Sequence, residues 1–300
     1  MTNSYDAIII GGSYSGLSAG MALGRALKNV LIIDSGKPCN AQTPHSHNFI
    51  TQDGETPHAI ASKAREQVAQ YKTIEFYSGL AVDAEKIDSG FRITTENGER
   101  FTAKKLVFAT GVRDIMPDIK GAAACWGISM IHCPYCHGYE VRNEKTGILA
   151  NGEMAFEFSK LISNWTKELT VFTNGISTLT AEQTSRLKAR GIEVNEQEIE
   201  GFEHTNGYIE QVHFKDGSVV QLKAMYAKLP FKQHSDLPEK LACNITEMGF
   251  VEVDPFQKTS VPGIYACGDN VTPMRSVANS VAAGTLTGAM LSRELIDEEF

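Results

Sequence analysis

Short apolar runs broken by glycine punctuate this chain and predict alternating strands and helices. Ala7-Ile8-Ile9-Ile10 is an unbroken apolar run of strand length that enters Gly11-Gly12-Ser13-Tyr14-Ser15-Gly16. Leu17–Leu27, rich in Ala, Leu and Met, predicts a helix with small residues for close packing, and Asn29–Ile33 predicts a second strand. Strand, glycine turn, helix, strand is the opening of a dinucleotide-binding unit. Ile60, Ala64 and Val68 at helical spacing place a helix within Gln52–Tyr71, and Phe91–Thr95 with Phe101–Phe108 read as antiparallel strands around Asn97-Gly98. The opening then recurs: strand Gly147–Ala150, turn Asn151-Gly152, helix Glu153–Ser163, strand Leu169–Phe172. The hairpin Tyr208–Phe214 and Ser218–Leu222, around Lys215-Asp216-Gly217, repeats the antiparallel insert at a similar offset. Near Lys232 the chain crosses back. A strand running into Ala266-Cys267-Gly268-Asp269 and a helix from about Ser276 to Glu298 complete the first domain. The expectation is an α/β protein with two Rossmann-like, three-layer domains: a discontinuous one over 1–115 and 233–300, and one inserted over 116–232.

Composition narrows the partners. With 300 residues, 42% hydrophobic and 21% charged, the chain is an ordinary globular protein of about two domains. A formal charge of -8 repels phosphate backbones and anionic lipid surfaces, so neither nucleic acid nor membrane is an expected partner. Met1–Asp6 is polar and no apolar run approaches the length of a membrane span, which predicts a cytoplasmic protein.

Cysteine spacing carries more information than cysteine count. Cys39, Cys125, Cys243 and Cys267 are isolated, while Cys133 and Cys136 form a C-x-x-C inside Ile131-His132-Cys133-Pro134-Tyr135-Cys136-His137-Gly138-Tyr139-Glu140. Cys133-x-x-Cys136-His137 also matches a haem attachment motif, but that chemistry belongs with export. Zinc needs a second ligand pair, which the other cysteines do not form, so no metal site is expected. A redox-active pair beside a bound cofactor is the favoured reading, because a nearby imidazole can lower a thiol pKa and carry the proton. His137 is the first candidate for that work and His132 the second; His45 and His47 sit in a turn-rich segment that could reach the cofactor. In the N-terminal turn Gly11 and Gly16 fit G-x-G-x-x-G with Ser13 in the middle, and Asp34 ends the second strand where an acid accepts a ribose hydroxyl. Gly268-Asp269 adds a carboxylate suited to a ribityl or phosphate neighbourhood.

Together the glycine turn, Ala109-Thr110-Gly111, the C-x-x-C and Ala266-Cys267-Gly268-Asp269 resemble, in order and along the whole chain, the low-molecular-weight thioredoxin reductases. The resemblance implies that the discontinuous domain binds FAD, that the inserted domain is NAD(P)-binding-like and carries the redox disulfide, and that the protein is a homodimer. It implies an FAD site lined by Gly11, Gly12, Ser13, Ser15, Gly16, Asp34, Ser35, Asn40, Val82, Thr110, Gly111, Gly268 and Asp269. Two departures matter. Those reductases follow their second cysteine with an acidic Asp, where this chain has His137. The G-x-G-x-x-A that would cradle the NADPH pyrophosphate reads Ala150-Asn151-Gly152-Glu153-Met154-Ala155, and the basic trio that would hold the 2'-phosphate reads Thr173-Asn174-Gly175. NADPH is therefore not expected to serve, and NADH is left open.

The stretch from Gly111-Val112-Arg113-Asp114 through Cys125-Trp126-Gly127 to Glu140 looks instead like the dithiol oxidases that close the disulfides of gliotoxin and holomycin. That likeness implies attack of a small-molecule dithiol at Cys133, two electrons passed by Cys136 to the flavin, proton shuttling by His137, and reoxidation by dioxygen or a protein acceptor. Two alternatives stay open: a reductase of thioredoxin-like proteins driven by NAD(P)H or a ferredoxin-like donor, and a non-catalytic thiol sensor built on the same pair.

Overall fold

The computed structural model describes residues 4–300, so Met1–Asn3 of the polar N-terminal stretch lie outside the described residues. It divides into two compact units. One comprises the chain up to Ala41, Phe49–Arg113 and Phe231–Phe300; the other comprises Gln42–Asn48 and Asp114–Pro230. The segment 42–48, expected from the sequence in the first domain, therefore packs with the second. Its tie is visible in Gln42, whose side-chain amide donates to the carbonyls of Ala123 (3.2 Å) and Trp126.

The first unit is built on a seven-stranded sheet. Ile74–Ser78, Val30–Asp34, Ser4–Ile10 and Arg100–Phe108 lie side by side in parallel, and Ile264–Ala266 pairs in parallel with the C-terminal half of Arg100–Phe108. Gly90–Thr95 and Ala81–Ile87 extend the sheet as an antiparallel meander from the N-terminal half of that same strand. Alternation sorts the strand residues between two faces: Ile8, Ile10, Leu31, Ile33 and Phe108 enter one buried cluster, Ala7, Ile9, Val30, Ile32 and Val107 the other. Burial on both faces explains why the strands read as continuous apolar runs, each fully buried Ile contributing about 1.5–3 kcal/mol.

Helices Tyr14–Arg25 and Val277–Glu299 cover the second of these faces and approach each other closely. A Cβ on Gly284 would lie 2.1 Å from the Ser15 carbonyl oxygen, and one on Gly288 2.5 Å from that of Ala19. Ser18 Oγ donates to the Val281 carbonyl at 2.7 Å across the same seam. At the far end of the long helix Glu294 accepts from Lys105 Nζ (2.6 Å), Lys258 Nζ and Tyr265 Oη (2.8 Å).

The second unit carries a five-stranded parallel sheet in the order Glu193–Asn195, Leu169–Phe172, Thr146–Leu149, Ala224–Ala227, Met130–Ile131. Its antiparallel insert differs from the first unit's. Ile199–Thr205, Tyr208–Phe214 and Val219–Gln221 form a separate three-stranded sheet instead of continuing the main one. Among the described residues no helix is long and apolar enough to cross a membrane.

Candidate functional site

In the first unit the sequence folds into a cradle around Gly11–Gly16. Gly11 has φ +107°, and a Cβ there would meet the Ala109 carbonyl oxygen at 2.2 Å; one on Gly16 would meet the Gly11 oxygen at 1.9 Å. Only bare backbone fits this crossing. Ser13 precedes the helix Tyr14–Arg25 but its side chain makes no capping bond, and the first turn holds no acidic residue. The leading N–H groups thus stay unspent, the arrangement that accepts a phosphate. Asp34, at the end of its strand, accepts from Gly12 N–H at 3.1 Å, which holds the carboxylate against the turn.

Thr110 and Gly268 join the cradle through direct neighbours. The Thr110 nitrogen lies 3.2 Å from the Gly11 Cβ position, and Gly268, at φ +93°, leaves only 2.5 Å between its Cβ position and Ser15 Oγ. Thr110 Oγ1 and the Oδ1 of fully buried Asn270 have no hydrogen-bond partner in the protein, although Asn270 Nδ2 donates to the Phe108 carbonyl at 2.9 Å. Orphaned polar atoms beside a bare helix end fit a dinucleotide's pyrophosphate and hydroxyls. Asp269 receives Ser280 Oγ at 3.4 Å and lies 3.6 Å from Arg275 Nε. Asn40 donates to Tyr14 Oη at 3.3 Å, while Ser35 and Val82 are exposed, Val82 on the edge strand Ala81–Ile87. Asn270, which follows the Gly268-Asp269 pair, joins these residues although no sequence motif marks it.

The corresponding turn of the second unit is already filled. Asn151 Oδ1 accepts from Gly152 N–H (2.8 Å), Thr178 N–H (2.8 Å) and Thr178 Oγ1 (3.1 Å), and Asn151 Nδ2 donates to the Ile176 carbonyl (2.9 Å). Glu153 stands in the first turn of the helix Gly152–Ile162 and accepts from Gln183 Nε2 at 2.6 Å. The loop after Leu169–Phe172 is likewise satisfied internally. Thr173 Oγ1 donates to the Gly175 carbonyl at 2.6 Å, and Asn174 Oδ1 accepts from Ile199 N–H at 2.7 Å. The hollow beside it is lined by Gly175, Ile176, Glu196, Glu198, Lys215 and Asp216, with Lys215 held by Glu198 at 2.6 Å.

The redox motif leaves the C-terminal end of Met130–Ile131, whose pairing with Met225 and Tyr226 sets it at a sheet end. Cys133 and Cys136 are joined by a disulfide, with Cα atoms 5.3 Å apart. Cys133 caps the short helix Pro134–His137, and the Cys136 N–H donates to its Sγ at 3.1 Å. Proline at the first helical position suits this geometry because no N–H is needed there. His132 stacks on Trp126 at 5.8 Å between ring centres, and Trp126 Nε1 donates to Asp114 Oδ2 at 3.1 Å. His137 is half-buried, and burial together with the nearby His47 pushes its pKa below the ordinary imidazole value, while Glu140 pulls it the other way. The neutral ring this favours is a proton acceptor at pH 7. By contrast, burial pushes the Cys125 and Cys267 thiols up to about 11, which keeps them protonated.

His45 and His47 come to this second unit. The His47 ring meets the His137 ring edge-on at 6.3 Å, and His45 lies 6.4 Å from His47. Among the described residues no group of three or more His, Cys, Asp or Glu is arranged to hold a metal ion.

Comparison with known proteins agrees with this architecture. The pyridine nucleotide-disulphide oxidoreductase family matches residues 5–284. Thioredoxin reductase tcpT of Claviceps purpurea is 34% identical over 98% of this chain and 95% of its own length, and thioredoxin reductase sirT of Leptosphaeria maculans 33% over 95% and 92%. The crystal structure of an oxidoreductase from Agrobacterium tumefaciens superposes with a TM-score of 0.92 at 38% identity, covering 99% of both chains.

Proposed function

Because the chain belongs to the pyridine nucleotide-disulphide oxidoreductase family and is a thioredoxin reductase-like FAD protein, we propose that it is a dithiol oxidase acting through Cys133 and Cys136. The observation that carries the reading is the closed second turn. Asn151 and Glu153 fill the helix end where a pyridine dinucleotide would place its pyrophosphate, and Thr173-Asn174-Gly175 offers no cation for a 2'-phosphate. Each missing charged contact is worth roughly 1.5–3 kcal/mol, so losing two weakens NADPH binding by about two to four decades.

The first unit is the FAD-binding domain, with Gly11, Gly12, Ser13, Ser15 and Gly16 around the pyrophosphate and Asp34 on the ribose. Thr110, Gly111, Gly268, Asp269 and Asn270 complete the site. FAD, when bound, supplies the two-electron acceptor for the reduced cysteines.

A substrate thiol gives its proton to His137 and its sulfur attacks Cys133 Sγ, forming a mixed disulfide and releasing Cys136 as thiolate. The second substrate thiolate then attacks the substrate sulfur of that mixed disulfide. The substrate disulfide closes and Cys133 leaves as a thiolate, met by the Cys136 N–H that already donates to its Sγ. The Cys133–Cys136 disulfide then re-forms as two electrons leave the pair by way of the flavin site for dioxygen, which takes up the two substrate protons, one from His137 and one from solvent, and departs as hydrogen peroxide. The test is dioxygen uptake with a small dithiol: one dithiol should be oxidised per dioxygen consumed, and Cys133→Ser should abolish it. NADPH-driven reduction of a thioredoxin-like disulfide, without dithiol-dependent uptake, would overturn the reading.

A further inference from the structure

The exchange chemistry asks for one proton acceptor beside the disulfide, yet the structure gathers more around it. The segment 42–48 brings the His47 ring against His137 at 6.3 Å with the ring planes at 87°, and His47 Nε2 lies 3.6 Å from Glu140 Oε1. The contact joins positions ninety residues apart in the chain. His137 thus has an imidazole neighbour, and that neighbour lies within ion-pair distance of Glu140.

We propose that His47, anchored by Glu140, is the positioning residue for His137. Its edge-on ring orients the His137 imidazole beside Cys133–Cys136, and two imidazoles in one half-buried space cannot both carry charge cheaply. Set against the His137 ring, His47 disfavours a charge there and leaves His137 ready to take the thiol proton. The electrostatics agree: burial comes first and His47 second among the causes that lower the His137 pKa, and Glu140 opposes them. The titratable groups near this pair are His45, 6.4 Å from His47, and Glu140 itself, whose charge also reaches the buried phenol of Tyr226, raised by burial first and by Glu140 second. In the step served, the proton moves from substrate thiol to His137, a substrate–Cys133 bond forms and the Cys133–Cys136 bond breaks. The enzyme disulfide is the only oxidant required.

The inference rests on the dithiol-exchange reading above, and the experiment separates the two. Ring-carbon NMR titration of the histidine-labelled holoenzyme, with His137 assigned from His137→Asn, is run beside the pH profile of anaerobic opening of the disulfide by dithiothreitol. His47→Asn should raise the His137 midpoint by roughly half to one pH unit and move the acid limb of the exchange profile by the same amount. Glu140→Gln should move both in the opposite direction. His47→Gln repeats the test with a longer side chain should His47→Asn fold poorly. Unmoved midpoints, or shifts of the same sign in the His47 and Glu140 variants, overturn the proposal while leaving exchange through His137 intact. Wild-type exchange by His137→Asn would overturn the underlying reading and this proposal with it.

Discussion

At the first turn the helix Tyr14–Arg25 begins behind a Ser13 whose side chain caps nothing; at the second, the helix Gly152–Ile162 begins behind an Asn151 whose side-chain oxygen takes three donors. Both turns follow a parallel strand and both open a helix, so topology alone would assign them the same ligand. What separates them is where the unspent N–H groups go. The first unit leaves them without a side-chain cap and adds buried oxygens without a protein partner at Thr110 Oγ1 and Asn270 Oδ1. The second satisfies its own turn and places Glu153 in the first helical turn, where a negative side chain favours the helix dipole and repels a phosphate. On the proposed reading, a dinucleotide fold serves in the second unit as a scaffold for the disulfide and not as a nucleotide site.

The largest effect expected from breaking this contrast is at Gly16. Its Cβ position, 1.9 Å from the Gly11 oxygen, cannot be relieved by rotating a side chain, so Gly16→Val should give protein without flavin colour, read from the absorbance of the purified variant. Next is the chemistry that the second unit kept. His137→Asn should slow opening of the disulfide by dithiothreitol by roughly 10²- to 10⁴-fold, the usual worth of a general acid or base, measured by stopped flow. A smaller effect comes from exchanging the two capping residues for alanine. Asn151→Ala should cost about 1–2 kcal/mol in denaturant unfolding because the oxygen that takes Gly152 N–H and Thr178 is lost, whereas Ser13→Ala should change stability by less than about 0.5 kcal/mol.

The smallest effect is one of pH. Burial would raise the Glu294 pKa, but hydrogen bonds from Lys105, Lys258 and Tyr265 outweigh it and hold the carboxyl down to about 2. Its folded value lies below the unfolded 4.5, so the stabilisation is present above about pH 4.5 and is lost as pH falls toward 2. The stability gap between wild type and Glu294→Gln should accordingly narrow on acidification, measured by urea unfolding at pH 7 and pH 3.

Much of this architecture was legible in the sequence wherever pattern and turn chemistry agreed. Leu169–Phe172 and Tyr208–Phe214 stand at the residues their apolar patterns indicated, and the Asn97-Gly98 turn joins the strands expected of it. The helix placed within Gln52–Tyr71 begins only at Pro57, because Thr51 and Gly54 adopt positive φ and Thr56 provides the cap. Met130–Ile131 and Glu193–Asn195 are two- and three-residue strands held by their partners, too short to show a period. The filled second turn was half visible. Ala150 and the missing basic trio were in the letters, but the capture of Thr178 by Asn151 depends on a loop 27 residues away. His47 was singled out, yet nothing local could show that its partner is His137.

On the proposed function the disulfide, and not a pyridine nucleotide, is the entry point for electrons. The purified holoenzyme is mixed anaerobically with micromolar NADPH or with dithiothreitol, and the flavin absorbance is followed. Entry through the disulfide gives ready bleaching by dithiothreitol and little or none by NADPH; fast stoichiometric bleaching by NADPH would contradict it.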